Sequence, residues 1–74
     1  MVTIFTNENC MPCNMTKKFF KENSIPFLER SITDEKNLED AKATGFTQMP
    51  IVVSSEKNYV SSGFVPAKFK ELMA

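Results

Sequence analysis

Val2-Thr3-Ile4-Phe5-Thr6 is alternating and β-branched, and after the polar turn Asn7-Glu8-Asn9 it gives way to Cys10-Met11-Pro12-Cys13 at the head of a helical pattern. A strand that turns directly into an amphipathic helix must take that helix back across its own sheet. The next strand then lies parallel to the first, with a right-handed crossover. The helix fits from about Met11 to Asn23. Met11, Met15 and Phe19, with Thr16 and Phe20, recur at three- and four-residue spacing and are expected to form one apolar stripe. Pro12 falls in the first turn, where its missing N–H costs nothing. Lys17, Lys18 and Lys21 lie toward the carboxyl end, where positive charge suits the helix dipole, and otherwise read as a solvated face.

The remaining pattern is short and regular. Pro26 opens a second strand, about Phe27 to Ile32. A second helix spans about Asp34 to Thr44, with Thr33 or Asp34 as its cap and Gly45 closing it in a left-handed conformation. Ile51-Val52-Val53 is a third strand and Asn58 to Ser62 a fourth, joined as a hairpin through Ser54 to Lys57. Gly63 breaks the chain, and Pro66 starts a last helix that carries Phe69, Leu72 and Met73 inward. The order βαβαββα predicts an α/β fold. A four-stranded mixed sheet flanked by helices would form one domain over residues 1–74.

Chains of 74 residues often need a covalent or metal staple. Here the only cysteines are Cys10 and Cys13, and a disulfide closing so small a loop removes little entropy from the unfolded chain. The core must instead come from seven Phe, five Met and the aliphatic residues. Nine basic residues balance nine acidic ones, which removes the electrostatic footprint of a nucleic-acid binder and of a protein that adsorbs to anionic membranes. The longest apolar run, Met49 to Val53, is too short to span a bilayer. No basic leader precedes the first apolar stretch, so it does not read as a signal peptide and a cytoplasmic location is expected. In that reducing compartment a cysteine pair serves catalysis or metal binding rather than structure. There is no His, which excludes Cys-His and Ser-His nucleophile pairs and any histidine metal ligand.

Two thiols at this spacing on a helix N-terminus can reach one sulfur of a partner. The free N–H groups and partial positive charge there favour thiolate over thiol. Cys10 should be the more exposed thiol and the nucleophile. Cys13, one turn in, should be covered and resolve the mixed disulfide that Cys10 forms. The competing reading is a metal or iron–sulfur module. One C-x-x-C supplies only two of the four ligands a structural zinc needs, so that reading requires a second chain or an added thiol such as glutathione. Pro50, at the head of a hydrophobic strand, has two readings. It is an ordinary first strand residue, or it follows a cis Met49-Pro50 bond that sets the Met49 backbone beside the cysteines.

With these residues in place, the chain resembles the thioredoxin superfamily in its glutaredoxin-sized form, over nearly its whole length. Within it, Gly45-Phe46-Thr47-Gln48-Met49-Pro50 and Ser62-Gly63-Phe64-Val65-Pro66 resemble the corresponding segments of NrdH-type redoxins. The resemblance implies a cis bond before Pro50, facing the dithiol. It implies a dithiol–disulfide oxidoreductase that holds no cofactor or metal and acts as a monomer. It also implies thioredoxin reductase as electron donor and ribonucleotide reductase as acceptor. Cys10 and Cys13 would be catalytic, with Met11, Pro12, Gln48, Met49, Pro50, Gly63 and Phe64 facing the partner. The alternative within the superfamily is a glutathione-dependent glutaredoxin, which carries an acidic pair after the residue matching Gly63. Phe64, Val65 and Pro66 stand there instead. The chain also has Val65 and Ala67 where NrdH-type redoxins usually carry Arg and an acidic residue. Asn7 stands where Lys is common, and Met11-Pro12 is not their usual pair between the cysteines.

Overall fold

Strand β1 (Val2–Thr6) pairs on both sides and organises the sheet. It runs parallel to β2 (Phe27–Ser31), with Val2 opposite Phe27 and Thr6 opposite Ser31, and antiparallel to β3 (Ile51–Ser54), with Phe5 opposite Ile51. β3 forms a hairpin with β4 (Tyr59–Ser62), so the order across the four-stranded sheet is β2-β1-β3-β4. Helix α1 (Met11–Glu22) connects β1 to β2, and α2 (Glu35–Lys42) precedes β3. A short α3 (Pro66–Phe69) continues into a 3₁₀ turn over Lys70–Leu72. The computed structural model describes residues 1–73.

Strand alternation divides the core in two. Val2, Ile4, Val52 and Tyr59 point to one face and pack with Phe20 of α1, Phe69 of α3 and Leu72. Phe5 and Ile51 point to the other face and pack with Ala41 of α2. Helices α1 and α3 therefore cover one face and α2 the other. Aromatic rings join the first layer edge to face: Phe20 lies 5.1 Å from Phe69 and 5.8 Å from Phe27, and Phe69 lies 6.1 Å from Phe64. Six of the seven phenylalanines, all but the exposed Phe46, thus do the work that staples do in other small domains.

Local chemistry sets the ends. Asp34 caps α2, its carboxylate accepting from the N–H groups of Lys36 (2.9 Å) and Asn37 (3.3 Å). Asn23 closes α1, and Ser24 takes a left-handed conformation (φ 56°) before the chain re-enters the sheet. Thr44 and Gly45 lie in the turn after α2, Ile32 lies just past β2, and Asn58 (φ 51°) belongs to the hairpin turn rather than to β4.

Two expectations need correction. The buried face of α1 is Cys13, Thr16 and Phe20, whereas Met11 and Met15 are 70% and 44% exposed. At about 100° per residue, Met11 and Met15 point nearly opposite to that triplet, and only Phe19 at its margin joins the core. Thr16 and Phe20 are buried as expected, but the stripe turns toward Cys13, a weak marker of apolarity, and away from the two methionines. Met73 is likewise 46% exposed and is not carried inward, whereas Phe69 and Leu72 are buried as expected.

Candidate active site

The carboxyl end of β1 delivers the chain into a tight turn through Asn9 (φ 52°), and Cys10 follows as the N-cap of α1 with extended backbone angles. The Cys10 carbonyl accepts the N–H of Asn14 (3.1 Å), the first bond of the helix ladder. The sulfur accepts the N–H of Cys13 at 3.2 Å. Cys10 thus uses its side chain where most helices use Ser, Thr or Asp, and the helix N-terminus is aimed at its sulfur. That arrangement stabilises negative charge on Cys10 when the pair is reduced.

Cys10 and Cys13 form a disulfide with Cα atoms 5.2 Å apart. Cys13 is 1% exposed, while Cys10 remains partly accessible. One sulfur is open to a partner and the other is held beneath it.

A second segment crosses in front of the pair. The Met49-Pro50 bond is cis, Pro50 is buried, and the Met49 carbonyl oxygen lies 3.9 Å from Cys10 Sγ. Two bonds from the end of β4 tether this segment. The N–H of Gly63 donates to the Pro50 carbonyl (2.8 Å), and Ser62 Oγ donates to the Gln48 carbonyl (2.6 Å). Gly63 needs its φ of 83°, which other residues adopt only with strain, yet a Cβ there would meet nothing within 4 Å. Beyond it Phe64 is half-buried and anchored against Phe19 and Phe69.

These pieces enclose an open groove of about 890 Å³. Met11, Pro12, Gln48, Met49, Gly63 and Phe64, all expected to face a partner, line it together with Cys10. Cys13 and Pro50 sit below its surface. Sequence reading missed Asn7, Asn9, Met15, Ile32 and Thr47 as lining residues. Met15 had a signal: it falls one turn after Met11 on the helix side away from Cys13 and Thr16. Among the described residues, the only charged side chain in the lining is Glu8, and no lysine or arginine reaches the groove.

The charged groups nearby are occupied elsewhere. Lys17 was read as part of a solvated face, but it reaches back to Glu29 on β2 (2.9 Å), which also accepts from Thr6 Oγ1 (3.0 Å). The Lys17 hydrogen bond is the main reason the Glu29 carboxyl is held below its ordinary value. Arg30 on β2 donates to Asn37 (2.7 Å) and Asp40 (2.7 Å) of α2, and its guanidinium lies 5.2 Å from the Phe5 ring centre. It fastens α2 to the sheet and does not enter the groove.

Comparison with known proteins decides the family. The sequence model of the Glutaredoxin family matches residues 2–58. The chain is 33% identical to the glutaredoxin-like protein NrdH of Lactococcus lactis subsp. cremoris over 97% of its own length and 99% of the relative's. The chain belongs to the glutaredoxin family, in its NrdH branch. It is also 29% identical to NrdH of Salmonella typhimurium, covering 96% of this chain and 86% of that one. Among solved structures it superposes on the NrdH-redoxin of Escherichia coli with a TM-score of 0.87 at 28% identity, covering 96% and 92% of the two chains. That protein is described as having a thioredoxin-like activity profile. The thioredoxin-like protein BC3987 shares the fold with a TM-score of 0.86 at 24% identity, covering 97% of this chain and 99% of that one. The fold is therefore thioredoxin-like, and the Cys10–Cys13 pair makes the chain a thiol–disulfide oxidoreductase.

Proposed function

We propose that the protein is a dithiol electron carrier, reduced by thioredoxin reductase and not by glutathione, that delivers its electrons to ribonucleotide reductase. Cys10 is the attacking sulfur. Its thiolate bonds to one sulfur of the acceptor's disulfide, and the other acceptor sulfur leaves and takes a proton. Cys13 then attacks Cys10. The Cys10–Cys13 bond forms, the bond to the acceptor breaks, and the second acceptor thiol departs carrying the proton that Cys13 gave up. Two electrons and two protons pass to the acceptor in total. Met49 and Pro50 present backbone on which an extended partner segment can lie, and Met11, Pro12, Gln48, Gly63 and Phe64 form the walls.

The groove lining supports this reading most directly. Glutathione carries two carboxylates and an ammonium, and each must be met by a fixed polar group once it leaves water. Among the described residues the groove offers no cation for the carboxylates and only Glu8, exposed at its rim, for the ammonium. The residue after Gly63 is Phe64, held in place by two further rings. Such an apolar surface suits a protein partner that buries its own side chains against it. The acceptor assignment rests on the resemblance of residues 45–50 and 62–66 to NrdH-type redoxins.

The test is reduction of the oxidised protein by two systems, each at cellular concentrations. NADPH with thioredoxin reductase should turn it over at least about tenfold faster than glutathione with glutathione reductase. Equal rates would remove the basis for excluding glutathione.

A further inference from the structure

Thr16 lies one helical turn beyond Cys13 on the buried face of α1. It is 0% exposed, and its hydroxyl meets no hydrogen-bond partner among the described residues. A threonine inside a helix has an easy alternative, since its hydroxyl can bond back to a carbonyl one turn earlier. Thr16 does not make that bond. A buried polar group without a partner is costly enough to need an explanation. Alanine or valine would fill the same place without leaving a hydroxyl unpaired.

The direction of the side chain suggests one. Helical side chains lean toward the amino end and cover the turn before their own Cα, which here is the turn holding Cys13. Residues three apart on a helix are neighbours. In the oxidised protein the Cys13 sulfur is tied to Cys10 and does not lie in hydrogen-bonding position to the Thr16 hydroxyl. On reduction it becomes a thiol or thiolate at a site that is 1% exposed, where solvent reaches it poorly and a donor is worth most. Three other donors have partners of their own. The Cys13 N–H points at Cys10 Sγ, and both the Thr6 hydroxyl and the Lys17 ammonium are held by Glu29.

We propose that in the reduced protein the Thr16 hydroxyl donates a hydrogen bond to the Cys13 sulfur, and that it thereby sets the balance between the dithiol and the disulfide. The hydroxyl gains its partner only when the Cys10–Cys13 bond is broken and two electrons and two protons have been taken up. It therefore favours reduction. The inference rests on Cys13 as the buried member of the pair, but the equilibrium it concerns does not depend on which cysteine attacks first. Trapping experiments on the cysteines and the measurement below can fail separately.

The test compares Thr16→Val, which keeps the shape and removes the donor, with Thr16→Ser, which keeps the donor. Each is equilibrated with a reference dithiol. Thr16→Val should displace the equilibrium about five- to tenfold toward the disulfide, the weight of one net hydrogen bond, or about 20–30 mV. Thr16→Ser should stay within about twofold of the parent. Thermal unfolding gives the signature that mere packing would not: Thr16→Val should stabilise the oxidised form and destabilise the reduced one. If Thr16→Val does not fold, Thr16→Ala should still show the equilibrium displacement. An unchanged equilibrium, with both redox forms shifted alike in stability, would overturn the proposal. So would a Thr16→Ser variant displaced as far as Thr16→Val.

Discussion

At the scale of single residues, the chemistry depends on how one sulfur is made reactive without histidine. Cys10 has the N–H of Cys13 at 3.2 Å and the end of a 12-residue helix behind it. Against these stands Glu8, the single charged residue of the groove lining among the described residues. A carboxylate near a thiol disfavours the thiolate, and a cation favours it. Glu8→Lys should therefore make reduced Cys10 more acidic. Its alkylation by iodoacetamide at neutral pH should speed up roughly two- to fivefold, an effect of the size expected between charges near a protein surface. Titrating thiolate absorbance in parent and variant checks the direction, and superimposable curves would mean that Glu8 does not sense Cys10. At this scale the sequence was legible wherever a residue type has a narrow use. Two cysteines three apart, Pro50 at a strand head and Gly63 at a chain break all face one groove or sit just beneath it. Met15 was assigned to the core stripe alone and Met11 both to that stripe and to the partner-facing set, because methionine suits a core and a surface equally well; both are exposed and line the groove. Thr16 was legible as a member of the buried stripe, but its hydroxyl's lack of a partner was not.

At the scale of elements, short strands and helices are fastened by polar contacts across their edges. Lys17 on α1 holds Glu29 on β2, while Arg30 on β2 and Lys36 on α2 both hold Asp40. Both carboxyls lie below their ordinary values of 4.5 and 3.8, Glu29 chiefly through Lys17 and Asp40 chiefly through Lys36 and then Arg30. A carboxyl whose folded value is depressed adds stability that is fully present above its ordinary value. That stability is lost as pH falls through the folded value. Stability should therefore decline on acidification below about pH 4.5. Glu29→Gln should flatten part of that decline and cost only about 0.2–1 kcal/mol at neutral pH, because the pair is partly solvated. Urea midpoints of both proteins at neutral and acid pH give the comparison. An equally steep acid loss in Glu29→Gln would show that this pair contributes nothing to it. Element order and most boundaries were readable from strand alternation, Asp34, Gly45 and the prolines. The cross-element pairs were not. Lys17 and Glu29 are 12 residues apart and meet only because β2 lies parallel to β1 under α1.

At the scale of the whole molecule, the fold places one reactive sulfur at an open groove and one beneath it. The β1–α1 junction supplies both cysteines, the loop before β3 supplies the opposite wall, and the end of β4 tethers that wall at Gln48 and Pro50. Phe64 links the groove to the aromatic core through Phe19 and Phe69. The parallel β1–β2 pair and the β3–β4 hairpin were legible in the βαβαββα pattern, whereas the pairing of β3 with β1 and the division of the core between the two faces were not. Burial supports the proposed division of labour between the cysteines: Cys13 is 1% exposed, whereas Cys10 is partly accessible. The most direct measurement incubates Cys10→Ser and Cys13→Ser with a disulfide-bearing protein acceptor and follows covalent complexes on a non-reducing gel. Cys13→Ser should accumulate a mixed disulfide through Cys10 that reductant releases, and Cys10→Ser should trap at least about tenfold less and support no turnover. Equal trapping by both variants, or trapping by Cys10→Ser alone, would contradict the account.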